Sequence, residues 1–64
     1  MQIDRVKLIA EMARQRITTM QLAEKSGVSR VTIVAARNGK TVHRNTANHI
    51  ARGLGVPVET ILEE

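Results

Sequence analysis

Apolar residues in the first quarter of the chain, Val6, Leu8, Ile9, Met12, Ala13 and Ile17, recur at helical rather than alternating spacing and predict an amphipathic helix over about Ile3 to Arg16 with one broad inward face. The pattern then restarts. Thr18 can cap a second helix, Gln21, three residues on, can answer it as the N3 partner of a capping box, and Ile17 with Leu22 can form a hydrophobic staple. That helix ends near Ser26, because Gly27 can adopt the left-handed conformation that closes a helix. Ser29 is a second good cap, and Val28 with Ile33 can form another staple, so a third helix follows almost at once and stops at Asn38-Gly39. After a polar loop, Lys40 to His43, a fourth helix over about Arg44 to Gly53 turns Ala47, Ile50, Ala51 and then Leu54 inward. Gly55 punctuates the chain, and Pro57 suits the first turn of a short fifth helix, Val58 to Leu62.

These elements predict an all-α fold, a compact five-helix bundle forming one domain over residues 1–64. A domain of 64 residues buries only about 60% of the surface its unfolded chain exposes. With no cysteine and no aromatic residue, aliphatic packing between helices must hold it together, and a catalytic cleft is hard to carve from so small a core. Charges at Asp4, Arg5, Lys7 and Glu11 break up any signal peptide, and no apolar run is long enough to span a bilayer, so no membrane partner is expected.

Charge placement changes the picture more than the net value of +4 does. From Lys25 to Val58 the chain carries Lys25, Arg30, Arg37, Lys40, Arg44 and Arg52 and no Asp or Glu, with the acids confined to the flanks. A polyanion is the natural partner of such a stretch. Thr18 to Gly39 reads as helix, glycine-containing tight turn, helix, the supersecondary form that lays its second helix in the major groove of DNA. In that second helix Ile33 and Ala36 define the inward side and turn Val31, Val34, Ala35 and Asn38 outward. Outward aliphatics on a helix between cations suit either contact with thymine methyl groups or a protein interface. On the first reading Val31 and Ala35 touch thymine methyls, and Arg30 and Thr32 serve base edges or phosphates.

The segments LAEKSGVSRVTI, NGK and IARGLGV resemble the Cro/repressor-type (XRE-like) helix-turn-helix family, with its lambda-repressor-like fold, across Leu8 to Leu62. The resemblance implies a bacterial or phage-encoded cytoplasmic regulator, a repressor that binds double-stranded operator DNA as a dimer. It places Ser29, Arg30, Val31, Thr32 and Ala35 on base-contact or groove positions and Asn38, Lys40 and Arg44 near backbone contacts. The chain departs from the family pattern twice. Thr19 stands at a DNA-binding position where a Gln is common, so that contact is weaker, made by a hydroxyl or absent, and Arg37 replaces a Glu whose usual arginine partner is here Met12, which leaves Arg37 free to face phosphate. Homodimerisation is expected through the C-terminal end, at Val56, Val58, Ile61 and Leu62, whose aliphatic surface exceeds what one short helix can bury.

No cofactor, metal or enzymatic activity is expected. His43 and His49 are poorly spaced for one helical face and lack a completing ligand set. Gly53-Leu54-Gly55 follows a helix rather than a strand, which rules out a dinucleotide fingerprint. Ser26 and Ser29 have no base and orienter beside them and are explained by capping. The competing function is a protein-interaction or antitoxin-like module on the same scaffold; an RNA-binding role is disfavoured by the lack of aromatic stacking platforms.

Overall fold

A computed structural model describes residues 2–63; Met1 and Glu64, the two ends of the expected 1–64 domain, lie outside the described residues. Four α-helices follow one another, α1 (Arg5–Gln15), α2 (Thr19–Ser26), α3 (Arg30–Arg37) and α4 (Arg44–Leu54), and a single 3-10 turn (Val58–Thr60) comes after them. The expected count of five helices is therefore corrected to four among the described residues. Pro57 is extended rather than helical, and Ile61 must drop into the core, where it is fully buried. The carbonyls of Ile61 and Leu62 are taken by the other end of the chain: the Asp4 amide donates to Ile61 at 2.8 Å and Lys7 Nζ to Leu62 at 3.1 Å. With Ile3 and Leu62 paired in an antiparallel bridge, the segment has no freedom to wind into an α-helix.

The same pairing explains why α1 starts two residues later than its periodicity suggests. Ile3 is extended and buried, and Asp4 caps the helix, its Oδ1 accepting from the amides of Val6 at 2.9 Å and Lys7 at 3.2 Å. At the far end Arg16 takes the left-handed conformation (φ 54°), unusual for a residue with a β-carbon, and the amide of Ile17 closes back on the Met12 carbonyl at 3.0 Å.

The broad inward face expected of α1 is also corrected. Leu8 and Met12 are buried and Ile17 packs partly against the core, but Val6 is 68% exposed, Ile9 is 38% exposed and Ala13 lies outward. The cause is polar. Gln15 Nε2 donates to the Leu54 carbonyl at the C-terminus of α4, at 2.7 Å, and to Glu11 Oε2, also at 2.7 Å. Glu11, 9% exposed, further accepts from Arg14 Nε at 2.9 Å and from Nη2. An end carbonyl of a helix needs a donor, and meeting that need rotates α1 about a quarter turn away from the orientation its apolar residues favour.

Helix α2 begins as its sequence predicts, with both halves of the capping box made: Gln21 N to Thr18 Oγ1 at 3.1 Å and Thr18 N to Gln21 Oε1 at 2.9 Å. Gly27 closes it at φ 73°. Leu22 from α2, Ile33 and Ala36 from α3, and Ala47, Ile50, Ala51 and Leu54 from α4 then converge on Leu8 and Met12. Helices α2 and α4 meet closely where Gly53 faces Ser26: a β-carbon on Gly53 would lie 2.8 Å from Ser26 Cβ and 3.0 Å from its backbone.

Gly53→Ala is therefore expected to force the two helices apart and destabilise the protein by about 1–3 kcal/mol, despite the better helix propensity of alanine; urea unfolding at neutral pH measures it. The Arg14 guanidinium and the Gln15 amide hold the Glu11 carboxyl below its ordinary value. A depressed folded-state value stabilises the fold above the unfolded carboxylate range and is lost as pH falls through the folded value. Glu11→Gln should accordingly flatten the acid limb of a stability-versus-pH profile, and an unchanged limb would remove Glu11 from that role.

Candidate nucleic-acid interface

The α2-turn-α3 unit carries the candidate site. Ser29 starts α3 as its N-cap, its Oγ accepting from the Thr32 amide at 3.2 Å and lying 2.8 Å from Thr32 Oγ1. That mutual pairing occupies part of both hydroxyls, yet one hydroxyl hydrogen of the pair remains free to donate outward. Ile33 and Ala36 are fully buried, so helical geometry turns the rest of α3 outward. Arg30 is exposed, Val31 is 80% exposed, Val34 43% exposed, Ala35 half-buried and Asn38 exposed. Val31 is the most exposed large aliphatic side chain described, and it sits one residue from Arg30 at the N-terminal end of the helix. Burying apolar surface gains about 25 cal/mol per Å², so an aliphatic left in water here has something to gain from a partner.

Arg37 and Thr19, the two departures from the family pattern, are found together. Arg37 Nη1 donates to Thr19 Oγ1 at 2.8 Å, tying the last turn of α3 to the first residue of α2, while the Arg37 Nε is buried with no hydrogen-bond partner. The side chain is thus half-buried and partly spent within the protein rather than free to swing toward solvent.

Asn38 at the end of α3, Lys40 in the loop that joins α3 to α4, and Arg44 at the start of α4 follow one another along the chain. Gly39 (φ 84°) turns the chain, the Lys40 amide closes on the Ala35 carbonyl at 3.0 Å, and Val42 is buried beneath the loop. Lys40, in the loop, and Arg44, the first residue of α4, are both exposed. A further residue, overlooked in the sequence pattern, holds this loop: Gln2 Nε2 donates to the Gly39 carbonyl at 2.5 Å, and Gln2 Oε1 accepts from Thr41 Oγ1 at 2.8 Å. Gln2 lies ahead of every periodic element, and nothing in its neighbourhood in the chain signals this task.

The C-terminal residues stand differently from their expected role. Ile61 is wholly buried in the protein's own core and has no surface to offer a second copy, which corrects its place in the expected dimer surface. Val56, Val58 and Leu62 are half-buried and pack against that core. Val56 and Val58 line a hollow of about 460 Å³ with Asn48, Ala51, Arg52, Gly55 and Pro57. His43 and His49 are both exposed, and among the described residues no three His, Cys, Asp or Glu side chains gather to hold a metal ion. Among the same residues no helix is long and apolar enough to cross a membrane.

No curated protein and no solved structure matches the chain. The model of one protein family does, across residues 7–63, which takes in α2, α3, α4 and nearly all of α1. A tight helix-turn-helix, an outward aliphatic and cationic second helix and a match over almost the whole chain agree, and the chain belongs to the Cro/C1-type helix-turn-helix DNA-binding domain family.

Proposed function

We propose that this protein is a transcriptional repressor that lays α3 in the major groove of a double-stranded operator. The observation that carries the reading is the pairing of exposed Arg30 with Val31, 80% exposed, at the end of a helix whose opposite side is locked into the core. Val31 and Ala35 meet thymine methyl groups, and Arg30, with the free hydroxyl hydrogen of Ser29 and Thr32, takes base edges. Arg37, steadied by Thr19, joins Asn38, Lys40 and Arg44 in holding the phosphates on either side. A DNA-binding unit spanning residues 1–64 needs no cofactor and performs no catalysis, and it reads its operator in the cytoplasm. Two copies meet through Val56, Val58 and Leu62, without Ile61, so that the two α3 helices stand about 34 Å apart on successive major grooves.

Selection of the tightest ligands from randomised duplex DNA should enrich a thymine-containing palindrome, bound with affinity that falls steeply as salt rises. Val31→Glu leaves a water-exposed position folded and should weaken operator binding at least about 100-fold, since it sets a carboxylate against the DNA. Lys40→Ala should weaken all duplexes evenly and reduce the salt slope by about one. Full operator affinity in Val31→Glu, measured by fluorescence anisotropy beside an unchanged melting temperature, rejects α3 as the reader. Sedimentation at micromolar concentration tests the pairing: a dimer lost in Val58→Glu is expected, and monomer alone, with and without operator, overturns it.

A further inference from the structure

The rotation of α1 leaves an apolar strip in water. Val6, Ile9, Ala10 and Ala13 are all exposed and, at the 100° step of a helix, share one side. Across a groove of about 260 Å³ from Ile9 stands Val34 of α3, 43% exposed, with Arg5, Arg37 and Asn38 completing the walls. Exposed Arg5 borders the strip along the groove, while on the other edge Lys7 is turned to the Leu62 carbonyl and Arg14 to Glu11. Carboxylates are directed elsewhere: Asp4 caps α1, and Glu11 is buried on the opposite side of the helix against Arg14 and Gln15.

We infer that this face of α1, with the groove beside Val34, docks an acidic amphipathic helix of a partner protein. Charge complementarity selects that occupant. An apolar stripe flanked by Asp or Glu would fill the strip and groove with its aliphatic side chains while its carboxylates reach Arg5 and Arg37. A second copy of this chain would set the same arginines against each other. The strip from Val6 to Ala13 also runs only about 11 Å along the helix axis, two helical turns, which matches a short helix better than the roughly 1,000 Å² that a stable dimer needs. The surface takes in neither Arg30 nor Val31, though its groove shares Arg37 and Asn38 with the proposed phosphate contacts, so peptide binding is read on the free protein, whether or not it also binds an operator.

The test is titration of the isotope-labelled full chain with a synthetic peptide of about 16 residues, long enough for some four helical turns, carrying leucines at helical spacing and glutamates elsewhere. A lysine version of the same peptide serves as control. Saturable amide shifts at Val6, Ile9, Ala10, Ala13 and Val34, absent with the lysine peptide and weakened at least tenfold by either Arg5→Glu or Val6→Ser, are the expected result. Both substitutions fall on exposed positions, and a melting curve checks that each variant is folded. No saturable shift, equal binding of the lysine peptide, or shifts centred on Arg30 and Val31 would overturn the assignment. So would concentration-dependent shifts at the same α1 residues without peptide, which would hand the face to a second copy.

Discussion

Everything the protein presents to a partner depends on how closely α2 can lie against α4. A core without aromatic side chains gains little from any single residue and must gain from many short contacts, so helices that stand even slightly apart forfeit much of it. Gly53 removes the one β-carbon that would hold α4 away from Ser26. With that approach made, Leu22, Ile33 and Ile50 bury completely, and α3 is fixed by its inner side with no contribution from its outer one. Its outward residues are consequently free to be chosen for what they bind.

A second constraint is polar and acts at the edges. The C-terminal carbonyl of α4 at Leu54 is met by Gln15, and the carbonyls of Ile61 and Leu62 are met by the N-terminal segment. Both ends of the chain are thereby stitched together, and Gln2, carried in by that stitch, reaches the Gly39 carbonyl and Thr41. The loop bearing Lys40 is thus steadied from the opposite terminus. Because buried backbone groups must find partners, the chain accepts the cost of turning Val6 and Ile9 into water.

These two constraints divide what the sequence reveals from what it hides. The boundaries of α2 and α3 were legible because Thr18, Gln21, Gly27 and Ser29 act on amides within a few residues of themselves, and the capping bonds are those the spacing requires. The exposure of Val31 and Val34 was legible for the same local reason, once Ile33 and Ala36 are set inward. The orientation of α1 was not, since its apolar periodicity competes with a demand from Leu54, 39 residues away from Gln15. The C-terminal turn was hidden similarly: Pro57 to Leu62 has the composition of a helix start, and only the pairing of Leu62 with Ile3 denies it one. Thr19 and Arg37 were each visible as departures from a family pattern, but their contact across 18 positions belongs to the folded chain alone.

That contact also connects the two faces of the molecule. Arg37 lines the groove beside α1 and, through Nη1, holds Thr19 at the start of α2. Its buried Nε has already surrendered hydration without gaining a partner, which leaves the side chain with an unmet donor and a weaker hold on its present position than a fully bonded arginine would have. A carboxylate entering the groove would offer that charged donor an anionic acceptor in place of a neutral hydroxyl, adding charge attraction and a bidentate geometry to a bond now charged on one side only. If that acceptor drew Arg37 off Thr19, a phosphate bound at the start of α2 would oppose the exchange. Whatever free energy separates those two arrangements must be the same seen from either ligand, so an acidic partner on α1 and DNA on α3 would each weaken the other's hold through this one side chain.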